Sequence, residues 1–150
     1  MVERIVSGGQ TGVDRAALDV ALELGIACGG WCPRGRRAEG GRIPDRYPLR
    51  ETPSAGYAQR TEWNVRDADA TLVLHRGALR GGTALTVALA RRFGKPCCTV
   101  DLETGAAGAS VRDWLAAHVV ALLNVAGPRE SQAPGIGEQA RGVLRAVLAP

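Results

Sequence analysis

Apolar residues recur along this chain with two periods, and the switches between them predict its elements. Ile5-Val6 is a short apolar run fit for a buried strand. Val13, Ala16, Ala17, Val20, Ala21 and Leu24 then follow the i, i+3, i+4, i+7 spacing of an amphipathic helix. Gly25 is placed to stop it, and a second strand is expected over 26–31. From 33 to 56 both periods vanish into glycine, proline and arginine. Ile43, Tyr47 and Leu49 are apolar anchors there, so this stretch is expected to be an ordered loop lying over the sheet as a lid. Residues 57–67 return to helical spacing, with Tyr57, Arg60, Thr61 and Asn64 on one face. Residues 70–75 are the third strand. Gly81-Gly82-Thr83 opens a helix that ends near Gly94, and Pro96 confirms the stop. Residues 97–100 are the fourth strand, closed by Asp101. Ser110 and Asp113 are expected to cap a short helix running through His118. Residues 119–125 form the fifth strand, and a last helix from Pro134 turns Ile136, Ala140, Val143, Leu144, Val147 and Leu148 inward.

Short apolar runs alternating with helices imply an α/β fold. The expected architecture is a Rossmann-like, doubly wound, mostly parallel sheet of about five strands with helices on both faces. Residues 1–150 are expected to form one ligand-binding domain. The preferred strand order is 2-1-3-4-5, with 3-2-1-4-5 as the alternative.

Composition narrows the function classes. The hydrophobic fraction is 45% and the charged fraction 23%, as in soluble globular proteins. No apolar run approaches the length of a membrane span. The first residues lead straight into a strand without a signal peptide, so a cytoplasmic location is expected. The net charge is +4, and Lys95 is the single lysine. Arg34, Arg36, Arg37, Arg42, Arg46 and Arg50 crowd the lid, and arginine forks suit phosphate and carboxylate. Few aromatics accompany them, which argues against a nucleic-acid surface. Cys28, Cys32, Cys97 and Cys98 have neither zinc-site nor redox spacing. Cys97-Cys98 is expected to be buried in its strand, and Cys32 is the one thiol placed to touch a ligand or react.

Two glycine junctions carry the candidate chemistry. Gly8-Gly9-Gln10-Thr11-Gly12 follows the first strand, and Gly81-Gly82-Thr83 follows the third. Each would bring backbone N–H groups of a helix N-terminus to one crevice, where an anion is favoured. Neither is a dinucleotide fingerprint or a Walker A loop. Thr11 is expected to cap the first helix with Asp14 three residues on. His75 and Arg76 end the third strand at the same edge, and His118 is expected to be structural. Nucleotide hydrolases of similar fold carry PGGxGTxxE. Here Arg80 stands for the proline, and Thr86 or Val87 stands where the acid is needed.

Taken together, the sequence resembles the molybdenum cofactor carrier proteins. The resemblance rests on five stretches in order: Ser7-Gly8-Gly9-Gln10-Thr11-Gly12-Val13-Asp14-Arg15-Ala16, Gly29-Gly30-Trp31-Cys32-Pro33, Thr61-Glu62-Trp63-Asn64-Val65, Gly81-Gly82-Thr83, and Leu123-Asn124-Val125-Ala126-Gly127-Pro128-Arg129-Glu130-Ser131. That family is similar in fold to lysine-decarboxylase-like nucleotide phosphoribohydrolases. The resemblance implies a homo-oligomer, tetramer or dimer, that holds molybdopterin-bound molybdenum before transfer to a recipient molybdoenzyme. Under it, Gly8, Gly9, Gln10, Thr11, Gly81, Gly82 and Thr83 would cradle the anion. Arg34, Arg60, Asn64 and Arg76 would balance charge or grip polar edges. Asn124, Arg129, Glu130 and Ser131 form a further patch, which the preferred strand order puts away from the crevice and toward a neighbouring subunit. The competing readings are a phosphoribohydrolase-type enzyme and a nucleotide or nucleic-acid sensor.

Overall fold

The helical and strand periods of the sequence reappear as alternating elements along the chain. The computed structural model describes residues 1–105 and 108–150. Within them lie β1 (Arg4–Val6), α1 (Val13–Leu24), β2 (Ala27–Gly29), β3 (Trp31–Cys32), β4 (Arg37–Ala38), β5 (Gly41–Arg42) and β6 (Arg50–Glu51). They continue with α2 (Tyr57–Asp67), β7 (Ala70–His75), α3 (Gly81–Arg92), β8 (Cys97–Asp101), α4 (Gly108–Ala117), β9 (Leu122–Ala126) and α5 (Ile136–Leu148). Ser110 lies inside α4 rather than ahead of it, and the two residues before Gly108 lie outside the described ones.

The main sheet has the order β2-β1-β9-β7-β8, and every pairing is parallel. Ile5 stands opposite Cys28 on one side and Leu123 on the other, while Leu72 lies between Val125 and Cys98. Right-handed crossovers then fix the layers. The β1→β2 and β8→β9 connections cross the sheet in one direction and β7→β8 in the other. So α1 and α4 lie on one face, where α5 packs on both, and α3 lies on the opposite face beside α2.

Neither expected strand order holds. The last strand sits between the first and third strands rather than at the edge. Burial explains why: β7 is buried along its whole length and Leu123, Asn124 and Val125 of β9 are buried too. Edge strand β8 leaves Cys97 and Cys98 half-buried and Thr99 exposed, so those two cysteines are less enclosed than expected. Pairing of consecutive strands is a tendency, and the more apolar run takes the covered position because that removes more apolar surface from water.

The second strand also divides. Gly30 has φ 124, and a Cβ there would strike the backbone of Ser7. The chain kinks at that point, and β3 leaves the main sheet to pair with β6. Asn64 of α2 holds β3 in place. Its Oδ1 accepts the Trp31 N–H at 2.8 Å and its Nδ2 donates to the Trp31 carbonyl at 2.9 Å.

The stretch 33–56, the lid, carries the antiparallel β4–β5 hairpin. Ile43, Tyr47 and Leu49 join the same core as Ile5, Val13 and Ala17. Arg36, 7% exposed, donates to the carbonyls of Ile43, Pro44, Tyr47 and Leu49. The Tyr47 hydroxyl donates to Asp19 Oδ1 at 2.6 Å and ties the lid to α1. A smaller core of Val65, Leu89 and Ala90 fills the space around α2 and α3. Lys95 Nζ donates to the carbonyls of Arg66 at 2.9 Å and Ala68 at 2.6 Å, closing the end of α2. Among the described residues, no helix is long and apolar enough to cross a membrane.

Candidate functional site

The two glycine junctions follow β1 and β7 and flank the carboxyl end of β9. They meet at one crevice, as expected, but they do different things there. At the first, three of the backbone donors are already engaged. The Gln10 N–H donates to Asp14 Oδ2 at 3.2 Å, the Thr11 N–H to Gln10 Oε1 at 3.0 Å and the Val13 N–H to the Pro128 carbonyl at 3.3 Å. The glycines serve close packing. Gly9 (φ 78) faces Ile43 and Leu49 of the lid, and Gly12 (φ 80) faces the backbone of residues 128–130. Gly12, not Thr11, occupies the cap position of α1. The Thr11 hydroxyl instead donates to the Glu39 carboxylate and accepts the Glu130 N–H at 3.1 Å.

The second junction is open. A Cβ on Gly81 or Gly82 would meet nothing within 4 Å. Among the described residues the Gly81 and Gly82 N–H groups have no acceptor, so the positive end of α3 is free. Thr83 is 6% exposed, lines the cleft, and its hydroxyl has no partner among the described residues.

The inner cleft holds about 140 Å³. From the expected set it brings together Gly8, Gln10, Arg60, Asn64, Gly82, Thr83, Asn124 and Arg129. It also takes in Asp14, Tyr57, Thr61, Thr86 and Gln132, which were not expected as site residues. Tyr57 and Thr61 share the α2 face with Arg60 and Asn64, so that face was readable from its spacing. Asp14 was hidden behind the cap it was expected to make.

Each cleft arginine comes with a carboxylate. Arg60 donates to the Gly8 carbonyl at 3.0 Å, stands 3.6 Å from Asp14 Oδ2 and lies over the Tyr57 ring. Burial pushes the Asp14 carboxyl above its ordinary value, against the opposing pull of Arg60 and the Gln10 N–H. Arg129 Nε stands 3.3 Å from Glu39 Oε2, yet it is buried without a hydrogen bond. Partial burial would raise the Glu39 carboxyl, but hydrogen bonds from Ser131 and Thr11 and the charge of Arg129 hold it below the usual value.

A wider groove of about 600 Å³ shares Thr83 and Gln132 with the inner cleft and continues past His75, Arg76, Arg80 and Glu103. Arg76 packs this groove against α5, donating to Gln139 Oε1 at 3.0 Å and the Pro134 carbonyl at 2.7 Å. His75 Nδ1 lies 2.8 Å from the Gly77 carbonyl, and Asp101 accepts the Gly77 and Glu103 N–H groups.

The remaining expected residues fall outside the inner cleft. Gly9 lies beneath the lid, and Gly81 starts α3 beside the lining residue Gly82. Thr11 and Glu130 border a shallow pocket with Arg15 and Arg141, and Ser131 binds Glu39. Arg34 is exposed and lines neither cavity. Cys32 is fully buried outside the cleft, and burial pushes its thiol up, so it is neither a ligand contact nor a reactive thiolate. Of the patch after β9, Asn124 and Arg129 line the crevice rather than lying away from it, because β9 is central. No group of three or more His, Cys, Asp or Glu among the described residues could hold a metal ion.

Comparison with known proteins places this geometry in context. Residues 5–148 match the family model described as "Circularly permutated YpsA SLOG family". No curated protein matches at a significant level. A crystal structure from Syntrophus aciditrophicus SB, named "Putative molybdenum carrier protein", is 45% identical to this chain. The two superpose with a TM-score of 0.97, over 99% of this chain and 96% of the other.

Proposed function

Because the chain belongs to the circularly permutated YpsA SLOG family, we propose that its cleft binds and shelters an anionic small molecule of the molybdenum-cofactor class. The ligand would be stored or passed to a recipient molybdoenzyme, with no chemistry performed on it here. The observation that carries this reading is the unblocked N-terminus of α3, with the unpartnered hydroxyl of Thr83, a residue only 6% exposed, beside it. The similar protein from Syntrophus aciditrophicus SB bears a molybdenum carrier name, which supports the choice of ligand class.

Magnitudes say which groups matter. A helix N-terminus gives an anion roughly 0.3–1 kcal/mol, enough to orient it but not to retain it. A hydrogen bond to a charged group adds about 1.5–3 kcal/mol, so retention depends on Arg60 and Arg129. Size decides the pose. Sites that enclose a drug-sized ligand span about 300–1,000 Å³, and the inner cleft has about 140 Å³. It would take a phosphate or oxo group. The pterin body would lie in the adjoining groove of about 600 Å³, and the metal would arrive with the pterin's own sulfur ligands.

The test is to purify the protein from cells able to make the cofactor and assay molybdenum and oxidised pterin. Both are expected in comparable amounts. Metal alone would indicate oxyanion storage, and neither would sink the carrier reading. Gly82→Asp is expected to abolish anion binding while the fold survives, because the added Cβ meets nothing within 4 Å and the carboxylate would take the anion's place. Unchanged affinity would make the junction a packing device.

Asp14 favours a second reading. A buried carboxyl group held toward its protonated form inside a cleft is a candidate general acid. Release of free base from nucleoside monophosphates, lost in Asp14→Asn, would replace the carrier with a phosphoribohydrolase-type enzyme.

A further inference from the structure

We propose that Thr11, Arg129 and Ser131 form a second oxyanion subsite whose resident occupant is the lid's own Glu39 carboxylate. A ligand with two anionic groups takes both subsites by displacing Glu39. This inference rests on the reading of the α3 cradle as an anion site.

The Glu39 carboxylate sits where an anion would. It receives the Thr11 hydroxyl, the Ser131 N–H at 3.1 Å and the Ser131 hydroxyl, and faces Arg129 at 3.3 Å. Hydroxyls, a backbone amide and a guanidinium are the donors that bind phosphate oxygens. Four of them converge on one side chain, carried by two loops that meet beyond the sheet edge. The subsite is reachable, since the Glu39 side chain is 23% exposed. Its occupant also leaves a donor unused, because Arg129 Nε is buried without a hydrogen bond. Arg129 lines the inner cleft as well, so one guanidinium borders both subsites.

Glu39 is not needed to keep the lid down. Ile43, Tyr47 and Leu49 bury it, Arg36 staples its carbonyls, and Gln10 Oε1 holds the Glu39 N–H itself at 2.9 Å. Displacement therefore requires only the Glu39 side chain to swing out. The alternative is that Glu39 is a clasp, and the two roles predict opposite signs. Without its charge, a clasp loosens and ligand binding weakens; a stand-in stops competing and ligand binding strengthens.

The experiment uses orthophosphate and pyrophosphate on wild-type protein and Glu39→Gln, followed by amide-resolved NMR. Orthophosphate is expected to shift the Gly82 amide, and pyrophosphate to shift both Gly82 and Ser131. Glu39→Gln is expected to tighten pyrophosphate about tenfold by removing one competing charge, and Ser131→Ala to weaken it. Weaker or unchanged pyrophosphate binding in Glu39→Gln overturns the proposal, as does a Gly82 response with no Ser131 response. If neither anion moves Gly82, the cleft reading fails first and takes this inference with it. The amide spectrum of each variant reports its folding in the same measurement.

Discussion

Asp14 and Glu39 are carboxyl groups of one site pushed in opposite directions. Burial raises Asp14 above its ordinary 3.8, so the folded protein favours its protonated form. Its contribution to stability is full below that value and is lost as the pH rises through the raised value. Glu39 is lowered, so its contribution is present above its ordinary 4.5 and is lost as the pH falls through the lowered value. Thermal melts taken as the pH rises from the ordinary value of 3.8 should therefore show a smaller loss of Tm with rising pH in Asp14→Asn than in wild type. An unchanged slope would place the proton uptake elsewhere. Such roles are where single-residue reading reached its limit. Thr11 and Asp14 have the spacing of a helix cap. Yet α1 starts only at Val13, whose N–H meets the Pro128 carbonyl from the far end of the chain. Only the fold brings that carbonyl into place.

Among the elements, the lid shows how one composition serves two ends. Its apolar anchors predicted order, and Ile43, Tyr47 and Leu49 are buried. Its arginines pointed to anions, yet Arg36 spends its donors on four lid carbonyls. A guanidinium fork fits a cluster of carbonyls as well as a phosphate, so residue type alone could not separate the two. Arg36→Met should lower stability by about 2–4 kcal/mol, since buried carbonyls lose charge-assisted bonds. Urea unfolding measures the loss, and faster tryptic cleavage at exposed Arg42 and Arg46 would locate it in the lid. Lysine should not rescue it, because one ammonium cannot match the fork. Helix α2 was the opposite case. Its bounds and its polar face followed from local spacing, and that face lines the cleft.

Across the whole molecule, the alternation of elements carried the fold class, and the chain order misled about the sheet. The first and last strands lie side by side and parallel, which fits the permuted description of the family. The signal was present in composition: Leu122, Leu123 and Val125 are more apolar than Cys97, Cys98 and Thr99, so the former belonged inside. Hydrogen exchange tests this ranking. Amides of β7 and β9 should exchange last and those of edge strand β8 sooner. Equal protection would contradict the edge position. The same order explains the site, since with β9 central the residues after it reach the crevice and supply Arg129. Lys95 carries a practical corollary. The chain's single lysine has its amine turned onto two backbone carbonyls at the end of α2. An amine-reactive dye at that position therefore reports on this helix end, since the amine must leave both carbonyls before it can react.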